Sequence, residues 1–225
     1  MKPRNLLTDP TRSPLVAASI LSADFARLQD DSQAAIDAGA DLLHVDIMDA
    51  HFVPNLSMGP AIASSLRKAM PDVFMDVHLM VTDPETYIRR FADAGADSCT
   101  FHIEVVPEPE PLVGLAHELG MTAGLALNPD TPVEQILSHI ELPDMILIMS
   151  VHPGFSGQSF ISEVLEKMKQ VRPLLRPDQR IEVDGGVSPA TASSCREAGA
   201  DVLVSASAIF GSDDYRREIS ALAGS

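Results

Sequence analysis

The sequence is short of cysteine, of positive charge and of long apolar runs, and each shortage removes a class of protein. There are two cysteines, Cys99 and Cys195, far apart in the chain; they make no disulfide framework and read as reduced thiols. Sixteen Lys and Arg stand against 32 Asp and Glu, a net charge of −16. Such a surface repels phosphate backbones, which excludes general nucleic-acid binding. A phosphate ligand must then be held by backbone dipoles or a few placed donors. The longest apolar runs, such as Met145-Ile146-Leu147-Ile148-Met149, are far shorter than the roughly 20 residues of a spanning helix, so no membrane role is expected. The N-terminus carries no apolar stretch of signal-peptide length. Residues 1–13 read as a flexible tail, and a cytoplasmic location is expected.

What is present is ordinary globular content: 225 residues, 45% hydrophobic. Size scaling takes about 35,000 Å² of unfolded surface to about 10,000 Å² folded, enough for a core without cross-links. Short apolar runs at 15–19, 42–47, 73–79, 98–103, 122–127, 145–151, 180–183 and 202–205 read as eight strands buried on both faces of a parallel sheet. Helical patterns lie between them. Asp24 precedes a stripe of Phe25, Leu28, Ser32 and Ala35. Asp83-Pro84, Thr131-Pro132 and Ser188-Pro189 each set a capping side chain before a proline. Gly39, Gly95 and Gly199 mark helix ends, all within the tetrapeptide Ala-Gly-Ala-Asp at 38–41, 94–97 and 198–201. Eight strand–helix units at this length predict a single (β/α)₈ barrel over 14–225, with eight parallel strands. A doubly wound open sheet is the alternative, but no glycine-rich turn follows the first strand.

In such a barrel the chemistry lies where strands end. Side chains alternate along a strand, so His44, Asp46 and Met48 share one face while Val45 and Ile47 share the other. The aliphatic pair suits packing against helices, which turns His44 and Asp46 inward. The same alternation turns Asp76, His78 and Met80 inward on the third strand, and Glu182 and Asp184 on the seventh. Taken singly, each is read as a hydrogen-bonded core group. Together they cost several kcal/mol unless paired or bound to a cation. His44, Asp46, His78 and Asp184 are therefore the candidate ligands of one divalent metal, zinc or else iron, manganese or cobalt. Asp76 and Glu182, one step deeper, are candidates for orienting those ligands.

Three loops follow strands six to eight: Pro153-Gly154-Phe155-Ser156-Gly157-Gln158, Asp184-Gly185-Gly186-Val187 and Ser205-Ala206-Ser207. On consecutive strands they predict a backbone cradle for phosphate, which works whatever the net charge. Met48, Met80 and Met149 fall near the same mouth. Methionine is ordinarily core filler; beside a metal and two carboxylates these thioethers would exclude water while adapting to a moving substrate carbon.

These segments resemble the ribulose-phosphate 3-epimerase family. The likeness runs in order from Ser19 to Tyr215, through Ser19-Ile-Leu-Ser-Ala-Asp-Phe25, His44-Val-Asp-Ile-Met-Asp49, His51-Phe-Val-Pro-Asn55, Asp76-Val-His-Leu-Met80, Asn128-Pro129, Pro153-Gly-Phe155, Glu182-Val-Asp-Gly-Gly186 and Ser207-Ala-Ile-Phe210. The resemblance implies a metal-dependent barrel enzyme of the pentose phosphate pathway. It would interconvert D-ribulose 5-phosphate and D-xylulose 5-phosphate through a metal-stabilised enediolate. It implies His44, Asp46, His78 and Asp184 as ligands, with Asp46 and Asp184 doubling as the acid/base pair. Ser19, His44 and His78 would touch the sugar, and Gly154 to Gly157, Gly186, Ala206 and Ser207 the phosphate. It also implies a homo-oligomer.

The sequence departs from the family pattern at Ala18, Ala50, His152, Ser156 and Ala206. Ala206 bears most on phosphate binding, since a Cβ there needs a negative φ. Three rival readings stand beside the main one. The first is a 3-epimerase of a six-carbon ketose phosphate such as allulose 6-phosphate. The second is an inactive phosphosugar-binding barrel. The third is a metal-dependent hydrolase, against which the first strand's Ala17-Ala18-Ser19 counts, since such enzymes carry His-x-His there.

Overall fold

A computed structural model describes residues 4–224; residues 1–3 of the expected tail lie outside the described residues. Eight parallel strands form a closed barrel in sequence order: β1 Leu15–Ser19, β2 Leu42–Met48, β3 Met75–Met80, β4 Ser98–His102, β5 Thr122–Leu127, β6 Met145–Met149, β7 Arg180–Asp184 and β8 Val202–Ser205. Between and after them run α1 Leu28–Asp37, α2 Pro60–Ala69, α3 Pro84–Ala94, α4 Glu110–Glu118, α5 Glu134–Leu137, α6 Val164–Val171, α7 Pro189–Glu197, α8 Ser207–Phe210 and α9 Tyr215–Ala223. The chain is a (β/α)₈ barrel, and its 9323 Å² of surface lies near the value that size scaling gives.

All eight expected strands form. The third starts two residues late, because Phe74 ends up beneath the barrel, packed with Leu15, Leu42, Met145 and Val202. Asp83 caps α3 by accepting the Thr86 N–H. Ser188 caps α7 in a reciprocal arrangement with Thr191. Thr131 does not cap a helix as expected. Its hydroxyl donates to Glu104 instead, and α5 begins only at Glu134. Asp24 caps a single tight turn, Phe25–Arg27, ahead of α1.

The repeated Ala-Gly-Ala-Asp has a structural job. Its glycines, Gly39, Gly95 and Gly199, sit at φ of 113°, 95° and 103°, where a helix stops in a conformation other residues resist. Its aspartates then bind a neighbouring strand and an arginine at once. Asp41 accepts from Val16 N–H and Arg12, Asp97 from Met75 N–H and Arg67, and Asp201 from Ile181 N–H and Arg172. Each aspartate fixes where a strand enters the barrel and so sets its register. Asp201→Ala strands the Ile181 amide and leaves Arg172 only the Gly199 carbonyl. It is expected to lower stability by about 2–3 kcal/mol, read as a fall in the urea midpoint at unchanged slope.

Outward strand positions such as Val45, Val77, Phe101, Leu125, Ile148, Val183 and Leu203 pack against the helices. Inward positions divide by height. The floor is apolar: Leu15, Ala17, Leu42, Phe74, Met145, Val202 and Val204, closed from below by the buried Leu7. Above it the interior turns polar. Thr100 fills space that Gly124 leaves, since a Cβ at 124 would lie 2.1 Å from the Thr100 hydroxyl. The ionisable groups stand on this apolar plug at the C-terminal end.

Candidate metal centre and active site

Strand register brings the expected ligands together. Asp46 pairs with His78 and His44 with Asp76 across β2 and β3, while Ser19 of β1 pairs with His44. Asp184 comes from β7, at the end of its strand. One donor atom from each of His44, Asp46, His78 and Asp184 falls within 4.8 Å of the others. His44 Nε2 stands 3.4 Å from Asp46 Oδ1 and 3.9 Å from Asp184 Oδ2. His78 Nδ1 stands 3.3 Å and 3.5 Å from the same two oxygens.

These two imidazole nitrogens are fully buried and have no hydrogen-bond partner. Each ring's other nitrogen is engaged: His44 Nδ1 with Asp76 at 2.8 Å, His78 Nε2 with His102 Nε2 at 2.8 Å. Orphaned nitrogens are rare in a core. Here two of them converge with two carboxylate oxygens on one point, the donor set and spacing a divalent transition ion takes. The residues fit such an ion. His44, Asp76 and Glu182 form a second cluster one layer down, with Asp76 bonded to His44 and Glu182 Oε1 3.6 Å from His44 Nδ1.

The electrostatics follow from crowding in a dry interior. Burial pulls the His78 pKa down, but the carboxylates of Asp184 and Asp46 outweigh it and lift it to about 9. His44 is likewise raised, by Asp46, Asp76 and Glu182 against burial. Burial pushes Asp46 up, and the two imidazoles overcome it, holding the carboxyl well below the usual range. Glu182 goes the other way. Burial first, then the charge of Asp76, raises it to about 8.

Above the ligands opens a cavity of about 530 Å³. Ser19, Asp46, Met48, Met80, Met149, Gly154, Phe155, Ser156, Gly157, Asp184, Gly185, Gly186, Ala206 and Ser207 all line it. His44 and His78 do not; both are wholly buried beneath its floor. Ser19 Oγ donates to Asp46 Oδ2 at 2.6 Å. That turns the other carboxylate oxygen, Oδ1, toward the imidazoles. Ser57 accepts from Met48 N–H and donates to the Asp46 carbonyl, pinning the strand end that carries the carboxylate.

On the far side the three loops meet. Gly186, at φ 64°, packs so closely that a Cβ would lie 2.7 Å from Phe160 N; glycine is the residue that lets the two loops touch. Ala206 has φ −110°, so it does not occupy the left-handed region that favours glycine. Ala50 does, with φ 60° in the turn after β2. No lysine or arginine is among the described residues lining the cavity.

Sequence reasoning missed Leu21 and Thr191 in the lining. It missed Asn55, whose amide donates to Gly154 O at 2.7 Å and ties the β2 loop to the β6 loop. It also missed His102 and Glu104, which stand on the same inward alternation that exposed His44 and Asp46. That signal was in the sequence at Phe101-His102-Ile103-Glu104.

Residues 15–210 match the model of the ribulose-phosphate 3 epimerase family. The chain is 46% identical over 215 residues to the ribulose-phosphate 3-epimerase of Bacillus subtilis (strain 168), covering 93% of this chain and 98% of that one. It is 44% identical over 212 residues to that of Schizosaccharomyces pombe, covering 93% and 92%. Among solved structures, 3-hexulose-6-phosphate synthase from Salmonella typhimurium superimposes with a TM-score of 0.71 at 17% identity, over 93% of this chain and 97% of that one. 3-Keto-L-gulonate-6-phosphate decarboxylase from Vibrio cholerae does so with 0.72 at 15%, over 94% and 96%. At that distance these structures share the fold alone.

Proposed function

The chain belongs to the ribulose-phosphate 3-epimerase family, and on that premise we propose that it inverts C3 of a phosphorylated ketose, interconverting D-ribulose 5-phosphate and D-xylulose 5-phosphate, at a divalent-metal site. It is an epimerase, hence an isomerase, by its relatives at 41–46% identity. The observation that carries the site assignment is the pair of unpartnered imidazole nitrogens facing Asp46 and Asp184 at the base of the cavity.

His44 Nε2, His78 Nδ1 and one carboxylate oxygen each of Asp46 and Asp184 would hold the ion. A divalent ion there would supply Lewis-acid stabilisation of negative charge on the ketose oxygen. Asp46 and Asp184 reach the cavity from β2 and β7, strands separated around the barrel by β1 and β8. One takes the C3 proton as a carboxylate, and the other returns a proton to the opposite face as a carboxylic acid. The reverse reaction exchanges their roles. Ser19 holds Asp46 in its reacting orientation. The three methionines wall the site with apolar surface, keeping water from the carbanion. The phosphate lies against backbone N–H groups of the 153–158, 184–187 and 205–207 loops, the means by which so acidic a chain can hold an anion.

Side-by-side kinetics on ribulose 5-phosphate and on a six-carbon ketose phosphate such as allulose 6-phosphate test the substrate. The account expects kcat/KM to favour the five-carbon substrate by at least about tenfold, a difference of about 1.4 kcal/mol in transition-state binding. The reverse preference assigns the chain to the longer sugar on the same machinery. No turnover of either by metal-replete protein leaves only a binding barrel and refutes the proposal.

A further inference from the structure

His44 and His78 are anchored differently. His44 leans directly on a carboxylate, Asp76. His78 instead meets a second imidazole: His78 Nε2 and His102 Nε2 are 2.8 Å apart, with ring planes within 20° of each other. That is an in-plane hydrogen bond, so one nitrogen carries the proton and the other accepts it. The far side of His102 decides which. Its Nδ1 lies 3.1 Å from Glu104 Oε2. Glu104 Oε1 already accepts from Asn128 N–H at 2.7 Å and from the Thr131 hydroxyl. A carboxylate so occupied takes only donors, which puts a proton on His102 Nδ1. His102 is fully buried, packed against Phe52, and as a neutral imidazole carries that one proton alone. Its Nε2 is then bare and accepts from His78 Nε2–H. With that nitrogen protonated, the lone pair of neutral His78 sits on Nδ1, the atom that faces Asp46 and Asp184.

We propose that His102 and Glu104 are positioning residues for the metal site: through one chain of hydrogen bonds, Glu104 to His102 to His78, they select the tautomer and ring orientation in which His78 offers Nδ1 to the ion. Neither residue lines the cavity or belongs to the four-residue ligand cluster. The chain extends to the protein's frame, since Lys167 Nζ donates to the carbonyls of Asn128 and Thr131 and so braces the loop that holds Glu104. Outer partners of this kind set the basicity and aim of a ligand, and removing one weakens a metal by about 10–100-fold. The inference rests on the metal-site reading above.

The test is titration of chelator-stripped protein with Co²⁺ alone, followed by its visible absorption, with the melting temperature of the stripped proteins measured alongside. His102→Leu removes the acceptor. It is expected to weaken Co²⁺ by about 10–100-fold and to change the absorption spectrum, with stripped protein melting within a few degrees of wild type. His102→Gln, whose side-chain oxygen falls near the lost Nε2, is expected to recover most of the affinity. Glu104→Gln, at the partly exposed end of the chain, gives an intermediate loss and stands in should His102→Leu fail to fold. Wild-type affinity and spectrum in folded His102→Leu or Glu104→Gln overturn the proposal. So does a Gln variant at 102 no better than Leu. Wild-type protein that takes up no Co²⁺ overturns the metal-site reading itself, a separate and recognisable failure.

Discussion

Asp184→Asn lowers turnover of ribulose 5-phosphate by about 10³–10⁴-fold, the scale of a lost acid–base group, while the unfolding midpoint moves by only a few degrees. The amide keeps the shape of the side chain and one oxygen for the ion, but it can neither take nor hold the transferred proton. Asp46→Asn has the same effect on turnover. It costs more stability, because Asp46 is buried between two imidazoles whose charge it balances. Two-sided proton transfer makes a sharper claim as well. Each variant keeps the group that serves one face of C3. Each therefore still exchanges the C3 hydrogen of one epimer with solvent, and the two variants exchange opposite epimers. NMR of both sugar phosphates in D₂O reads this directly. Turnover within tenfold of wild type in either variant removes that aspartate from the mechanism.

Metal uptake by stripped protein is expected to tighten steeply with pH, by up to about two decades per pH unit where both ligand imidazoles are protonated. In the metal-free protein His78 is raised to about 9 and His44 also lies above its ordinary value, so an ion binds only by displacing their protons. The sign for stability runs the opposite way. A histidine raised on folding contributes stability that is complete below about pH 6.5, its unfolded value, and that is lost as pH climbs through about 9. Glu182, raised to about 8, acts in the same direction, because the folded state resists its ionisation from about pH 4.5 upward. Stripped protein therefore loses stability between about pH 6.5 and 9 while the ion's contribution grows. The gap in melting temperature between metal-loaded and stripped protein widens over that range. Calorimetry in buffers of different ionisation heat counts the released protons; pH-independent uptake with no proton release contradicts the account.

Much of this was visible in the sequence because two periodicities carried it. Alternation along β2, β3 and β7 sorted aliphatic from ionisable side chains, and the closed parallel barrel turned that sorting into an apolar shell around a polar mouth. The metal cluster was readable for the same reason: three inward faces, each holding a histidine or an aspartate at the end of its strand. Cross-strand partners were harder. Thr131 looked like a helix cap because Thr-Pro is a local signal, and no local signal says that Glu104 on another loop captures the hydroxyl first. The Asn55–Gly154 bond spans 99 residues and is written in neither segment alone. The role of the repeated Ala-Gly-Ala-Asp was half legible. Its glycines announce helix ends, but its aspartates act through arginines elsewhere in the chain, and that pairing exists only after the barrel closes.

The most direct test of the central claim is the metal content of the purified protein, by elemental analysis, set against activity. The account predicts about one divalent ion per chain, activity that vanishes on chelation and returns with the ion, and loss of that ion in the His44→Ala, His78→Ala double variant. Full activity in protein stripped below about one ion per ten chains, or a double variant that keeps its ion, contradicts it.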